Sequence, residues 1–137
     1  MFLFNLANYD ETWEFEEQMM TGFSQFLESF SNITNYQTPG TPPPSAIIIM
    51  YNVSRFVEKL KRKPMSSLRR FYKDYTGEGN PKSVIAYMIN KCRQGCEDKR
   101  RIYPHVGELW DESTVKFIRV AAKESMLHIA LKETGLF

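Results

Sequence analysis

Hydrophobic and polar positions near the N-terminus follow the pattern of an amphipathic helix. Apolar residues recur at intervals of three and four, at Trp13, Phe15, Met19, Met20, Phe23, Phe26, Leu27 and Phe30. Side chains at this spacing lie on one face of an α-helix. Asn8 and Glu11 have the spacing of a capping box. We therefore predict a helix from about residue 10 to residue 30, whose polar face is purely acidic and whose aromatic face packs in the chain's own core or against a neighbouring copy.

A proline-rich segment follows this helix. Ser31 to Ser45 contains four prolines together with Asn, Thr and Gly, and this composition excludes regular structure. Three consecutive prolines, Pro42 to Pro44, favour an extended polyproline conformation. We predict a stiff linker.

The pattern after the linker predicts a second helix, from Ser45 to Lys63. Ser45 is a good N-cap, and a helical stripe continues until Pro64. The stripe consists of Ile49, Val53, Phe56, Val57 and Leu60. A strand is the alternative for its apolar first part, AIIIMY, because Ile47 to Ile49 are β-branched. The helix is favoured because its spacing accounts for more residues than the short run does.

Residues that typically start or stop helices predict three more helices after Pro64. Apolar residues from Leu68 to Tyr75 indicate a short helix after Pro64. Asn80 before Pro81 predicts the start of a helix that Gly95 ends. Residues 102–110 read as irregular, and a last helix begins at Asp111 or Ser113.

Together these elements predict an all-α fold, a compact bundle of about five helices in a single domain over residues 1–137. Its parts are the acidic amphipathic helix (1–30), the Pro-rich linker (31–45) and a basic helical body (46–137). A content of 42% hydrophobic and 14% aromatic residues argues against disorder. Two cysteines are too few for a disulfide framework, so we predict an intracellular protein, cytoplasmic or nuclear. The longest apolar run is far too short to cross a membrane, so no membrane partner is predicted.

Charge is distributed very unevenly. Residues 55–101 hold 14 of the 18 Lys and Arg residues and five acids, whereas residues 1–54 hold six acids and no Lys or Arg. Such a single-sign field attracts phosphates or acidic protein surfaces. Aromatic residues lie among the bases, and aromatic rings stack on the bases of RNA and single strands.

The basic region predicts non-enzymatic binding of nucleic acid, with RNA or single strands favoured over duplex DNA. The proposed phosphate contacts are Arg55, Lys59, Arg62, Lys63, Arg69, Arg70, Lys73, Lys82, Lys99, Arg100 and Arg101. Bases would stack on Tyr72, Tyr75 or Tyr103, whichever is exposed. The alternative is a helical adaptor or self-assembling protein, a homo-oligomer in which the acidic helix of one copy pairs with the basic body of the next.

Catalytic, cofactor and metal sites are not indicated. Neither His105 nor His128 lies in a motif such as GxSxG or HExxH, so we predict no enzymatic activity and no cofactor. Cys92, Cys96, His105 and His128 form a weak candidate set for tetrahedral zinc. The spacing Cys-x3-Cys is looser than is usual for zinc, and two structural cysteines with two incidental histidines are favoured instead.

Overall fold

The computed structural model describes residues 1–36, 45–63, 65–96 and 102–135. Within these ranges the chain forms a mixed α/β fold. The strands are β1 (Phe2–Asn5), β2 (Thr12–Phe15), β3 (Gln18–Thr21), β4 (Ala46–Tyr51) and β5 (Ile102–Val106). The helices are α1 (Gly22–Thr34), α2 (Val53–Arg62), α3 (Met65–Phe71), α4 (Pro81–Gln94) and α5 (Glu112–Glu133), and a short 3-10 helix spans Leu6–Asn8.

A parallel sheet with the strand order β1-β4-β5 is the centre of the fold. Phe4 lies opposite Met50, and Met50 lies opposite Val106 on the other side. The central strand β4 is the apolar run AIIIMY, and Ile48, Ile49 and Met50 are fully buried. A continuous apolar run is typical of a parallel strand that is covered on both faces.

The prediction of an all-α fold is therefore wrong. The segment predicted as one helix from Ser45 to Lys63 is strand β4 followed by helix α2, so the strand alternative is the correct one for its first part. Hydrogen bonds to β1 and β5, which lie far away in the sequence, stabilise the extended backbone. The spacing of apolar residues within a short segment carries no information about such distant partners.

The prediction of an acidic N-terminal helix is also wrong, over the first half of that helix. Residues 12–21 form a hairpin of β2 and β3, in which Glu16 and Glu17 make the turn with φ of 50° and 63°. Two positive φ values are typical of a type I′ turn, which usually carries Asn or Gly. Helix α1 begins only at Gly22, after a capping box of Thr21 and Ser24, and continues to Thr34 inside the predicted linker. The prolines of that linker lie outside the described residues.

The segment predicted as irregular contains strand β5. Its Pro104 lies opposite Ile48, and β5 is an edge strand of the sheet among the described residues. Proline is tolerated at an edge because its missing N–H group need not face a neighbouring strand.

The later helices are confirmed. Helix α4 starts at Pro81, where the Asn80 side chain accepts a hydrogen bond from the backbone N–H of Ser83 at 2.8 Å, and it ends at Gly95. Helices α3 and α5 also lie where the sequence predicts them. The single-domain organisation stays a prediction.

Aromatic side chains fill much of the core between the sheet and the helices. Phe4 of β1 contacts Phe23 and Phe26 of α1, with ring centroids 5.5 and 5.0 Å apart. Phe56 of α2 packs edge-on against Tyr9 at 5.2 Å. The first helix thus buries its aromatic face in its own chain, one of the two arrangements expected from the sequence. No helix in the described ranges is long and apolar enough to cross a membrane.

Candidate functional site

The three parallel strands all end at the same edge of the sheet. β1 ends at Asn5, β4 at Tyr51 and β5 at Val106, so the loops that follow them meet there. In open α/β sheets, ligands bind in the crevice outside the carboxyl ends of the strands. This edge is therefore the candidate functional site.

Asn52 ties the loop after β4 to the loop after β1. Its Nδ2 donates a hydrogen bond to Oδ1 of Asn5 at 3.1 Å, and the same oxygen accepts from the backbone N–H of Ala7 at 3.0 Å. The backbone of Asn52 is left-handed, with φ of 63° and ψ of 44°. Asparagine tolerates this conformation better than most residues do. The contact fixes two of the three loops relative to each other.

Glu108 ties the loop after β5 to the start of α2. Its Oε1 accepts from the backbone N–H of Ser54 at 2.7 Å and from the Ser54 hydroxyl at 2.8 Å. The N-cap residue of α2, Asn52, makes no side-chain capping bond, so the carboxylate of Glu108 takes over that role from another loop. Its second oxygen, Oε2, is buried and has no hydrogen-bond partner among the described residues.

Gly107 allows the loop after β5 to lie close to α5. Its N–H donates to the carbonyl of Met50 at 3.0 Å. A Cβ at this position would lie 2.3 Å from Oγ1 of Thr114, a fully buried residue. That hydroxyl is 3.0 Å from Nε2 of His105, and the His105 ring stacks on Phe117 at 4.5 Å. A side chain at position 107 would therefore force the Thr114 hydroxyl to move.

Asp10 forms an ionic contact on the side of β1. Nζ of Lys59 lies 2.6 Å from its Oδ1 and also donates to the carbonyl of Ala7 at 2.6 Å, while Lys63 contacts Oδ2. Burial tends to raise the pKa of Asp10, but the hydrogen bonds and charges of the two lysines outweigh it and hold the pKa below its ordinary value. The acidic N-terminal segment and the basic region thus pair within one chain.

Three of the bases predicted to contact nucleic acid form ion pairs within the chain. Lys59 and Lys63 pair with Asp10, and Arg62 pairs with Glu58. The remaining described bases of the set are exposed: Arg55, Arg69, Arg70, Lys73 and Lys82. Lys99, Arg100 and Arg101 lie outside the described residues.

Two of the three tyrosines predicted to stack on bases are buried. The hydroxyl of Tyr72 donates to the carbonyl of Tyr9, and that of Tyr75 donates to the carbonyl of Glu78. Tyr103 on the edge strand β5 is the exposed one, at 45%. The rings of Tyr72 and Tyr75 belong to the hydrophobic core.

The zinc candidates do not converge in the described part of the chain. No group of three or more His, Cys, Asp or Glu residues there could hold a metal ion. Cys92 and Cys96 are buried free thiols, and burial, followed by the charge of Cys96, raises the pKa of Cys92 to about 12. A raised pKa disfavours the thiolate that binds zinc. His105 contacts Thr114, and the side chain of His128 is not among those described.

Sequence reasoning missed the residues that build this edge, namely Asn5, Asn52, Ser54, Gly107 and Glu108. A signal existed for Asn52, because it directly follows the apolar run AIIIMY. Polar residues at the carboxyl end of a buried strand are candidates for ligand contact. Interpreting that run as a helix concealed the signal.

Comparison with known proteins shows that the chain is similar in sequence to several fungal proteins of one kind. The chain is 29% identical over 136 residues to the guanine nucleotide-binding protein alpha-2 subunit of Saccharomyces cerevisiae, which covers 99% of this chain and 29% of the yeast protein. It is 27% identical to the alpha-2 subunit of Kluyveromyces lactis and 26% identical to the alpha-3 subunit of Neurospora crassa, covering 99% of this chain and 24% and 36% of those proteins. The chain thus spans well under half the length of these curated relatives. No family model matches it.

This similarity overturns the predicted function. Relatives named for binding guanine nucleotides do not support an RNA or DNA partner, nor the alternative of an adaptor or self-assembling protein. The alternative also relied on a long acidic helix, of which residues 12–21 form a hairpin instead. The prediction of no enzymatic activity is contradicted too, because guanine nucleotide-binding alpha subunits as a class hydrolyse GTP.

Proposed function

We propose that this chain binds a guanine nucleotide at the carboxyl edge of its parallel sheet. The observation that carries the proposal is the similarity to guanine nucleotide-binding alpha subunits along 99% of the chain. The fold supports it, because a nucleotide is the kind of ligand that parallel α/β sheets bind beyond the ends of their strands. The loops after β1, β4 and β5 supply the contacts.

In this proposal the chain supplies the part of the site that contacts the base. The printed sequence contains no GxxxxGK[ST] segment, the glycine-rich loop that cradles nucleotide phosphates. The side chains at the edge are instead amides, a hydroxyl and a carboxylate, in Asn5, Asn52, Ser54 and Glu108. Such groups recognise the donors and acceptors of a base. Hydrolysis is proposed for an assembly that also supplies the phosphate contacts.

The names of the relatives also suggest the kind of protein partner. They are described as alpha subunits, that is, as parts of an assembly. We extend this to the present chain and propose that it works together with other subunits. The proposal keeps the predicted intracellular location, cytoplasmic or nuclear.

Calorimetric titration of the purified chain with GDP and with ADP tests this proposal. We expect GDP to bind at least about ten-fold more tightly than ADP, which corresponds to about 1.4 kcal/mol of base recognition. The same titration of Asn52→Ala should weaken GDP binding, because the loops after β1 and β4 lose their mutual contact. Absence of GDP binding at millimolar concentration, or equal affinity for the two nucleotides, would contradict the proposal.

A further inference from the structure

We propose that Ser66 is a phosphorylation site for a serine kinase that recognises basic segments. Ser66 belongs to helix α3, and its side chain is exposed to solvent. Other serines of the chain use their hydroxyls internally. The Ser24 hydroxyl donates to a backbone carbonyl at 2.9 Å, and the Ser54 hydroxyl donates to a carboxylate at 2.8 Å. The exposed hydroxyl of Ser66 is open to a kinase.

Bases flank Ser66 on both sides along the chain. Residues 61–63 are Lys, Arg and Lys, residues 69 and 70 are both Arg, and no acid occurs from residue 59 to residue 73. All five of these bases are exposed. A kinase with an acidic substrate groove selects its substrates by such charges. Arg62 and Lys63 form ion pairs within the chain, but exposed pairs of this kind contribute little, so an acidic groove can replace them.

The short helix α3 can present Ser66 in an extended form. It has seven residues, and helices of this length are marginal without packing against other elements. Leu68, which is buried, connects α3 to the core and follows Ser66 in the chain. On the other side, Lys63 is already extended, with φ of −106° and ψ of 134°. The backbone at Ser66 can therefore unwind into a kinase groove while Leu68 stays in the core.

The reaction transfers the γ-phosphoryl group of ATP, bound to Mg²⁺ in the kinase, to Ser66. Oγ of Ser66 attacks the γ-phosphorus and forms a new oxygen–phosphorus bond. The bond between that phosphorus and the β–γ bridging oxygen breaks, and ADP leaves with the bonding electron pair. The hydroxyl proton passes to the catalytic carboxylate of the kinase. The product carries a charge of about −1.5 to −2 at pH 7 on residue 66.

Arg69 and Arg70 are placed to hold the phosphate once it is attached. They follow Ser66 by three and four residues, and residues at these spacings are neighbours on a helix surface. In the described part of the chain neither of them forms an ion pair. Hydrogen bonds from arginine to phosphate are charge-assisted and often bidentate. Phosphorylation thus converts a purely basic surface of α3 into an ion-pair network.

Phosphorus NMR of the phosphorylated chain tests the role of the two arginines. We expect the second pKa of the phosphate to lie below its ordinary value of about 6, because neighbouring positive charges favour the dianion. Arg70→Ala should bring this pKa back towards that value. Arg93→Ala removes an exposed base from another helix, α4, and should leave the pKa unchanged. The same pKa with and without Arg70 would contradict its contact with the phosphate.

Kinase reactions on the full chain test the site itself. The chain is incubated with MgATP and either the catalytic subunit of a cyclic-AMP-dependent protein kinase or protein kinase C, and mass spectrometry locates the phosphate. We expect it on Ser66, and we expect Ser66→Ala to slow incorporation at least about ten-fold. Ser67→Ala is the matched control and should react at the unaltered rate. Transfer by neither kinase, phosphate at another residue, or an equal rate for Ser66→Ala would overturn the proposal.

Discussion

Two carboxylates hold helix α2 against the loops of the sheet, one near each end of the helix, and they are satisfied to different degrees. Both oxygens of Asp10 contact lysines of α2 and the residue after it, and its side chain is only 4% exposed. Glu108 contacts the first turn of the helix through Oε1 alone, while Oε2 has no partner among the described residues. Asp10 is thus held through both of its oxygens, whereas Glu108 is held through one oxygen only. We therefore regard Asp10 as the ionic anchor of the C-terminal end of α2, and Glu108 as the carboxylate that caps its N-terminal end from another loop.

Removal of the Asp10 carboxylate should have the largest effect on stability. Asp10→Ala leaves the partly buried ammonium group of Lys59 without its counter-charge, so we expect the free energy of unfolding to fall by about 2–4 kcal/mol. Urea denaturation followed by circular dichroism measures this change. Lys63→Ala is the matched control and should cost less than about 1 kcal/mol, because Lys63 is 45% exposed. Equal effects of the two variants would show that Asp10 is not the centre of the contact.

Disturbance of the loop that carries Glu108 should have the next largest effect. Gly107→Ala places a methyl group against the Thr114 hydroxyl, and we expect a loss of about 1–3 kcal/mol. Thr114→Ala removes that hydroxyl, so the double variant should be more stable than the sum of the two single losses predicts. Thermal and urea denaturation of all four proteins completes the cycle. Strict additivity would mean that the two positions do not touch.

Replacement of Asn52 should lower the free energy of unfolding by a smaller amount. Asn52 lies at the start of α2 and connects it with the loop after β1. Asn52→Ala loses the hydrogen bond to Asn5 and strains a left-handed backbone, at a cost of about 1–2 kcal/mol. Asn52→Gly loses the same bond without the strain, so it should be the more stable of the two variants. The reverse order in urea denaturation would contradict the left-handed conformation at this position.

The pH dependence of stability should show the smallest effect. The pKa of Asp10 is lower in the folded chain than its ordinary value of 3.8, so near that value the unfolded chain binds more protons. The stabilisation by Asp10 is present above about pH 4 and is lost as the pH falls through the folded-state pKa. Melting temperatures measured from pH 6 downwards should therefore decline more steeply for the unaltered chain than for Asp10→Asn. Parallel curves would exclude this contribution.

The helices that the sequence predicted correctly have local signals at their ends. Asn80, Pro81 and Gly95 specify the bounds of α4 through capping and backbone geometry that involve only neighbouring residues. The strands had no comparable local signal. The hairpin turn uses Glu16 and Glu17 with positive φ, where Asn and Gly are usual, and the edge strand β5 contains a proline.

The site was less predictable than the helices, since it consists of pairs that are distant in the sequence. Asn5 meets Asn52, and Ser54 meets Glu108, only because three strands lie side by side. The uneven charge along the chain pointed to an external polyanion. Part of that charge is neutralised internally, by the pairing of Lys59 and Lys63 with Asp10.

Residue type and near neighbours alone specify the caps and stops of the later helices, the large supply of aromatic core residues and the separation of acidic from basic segments. Contacts between distant segments specify which apolar run becomes the central strand, which tyrosines are buried and which polar residues meet at the carboxyl edge. Parallel pairing joins segments about fifty residues apart, and hydrogen bonds between such segments outweigh the local preference for a helix. The carboxyl edge that we propose as the nucleotide site is a product of that pairing.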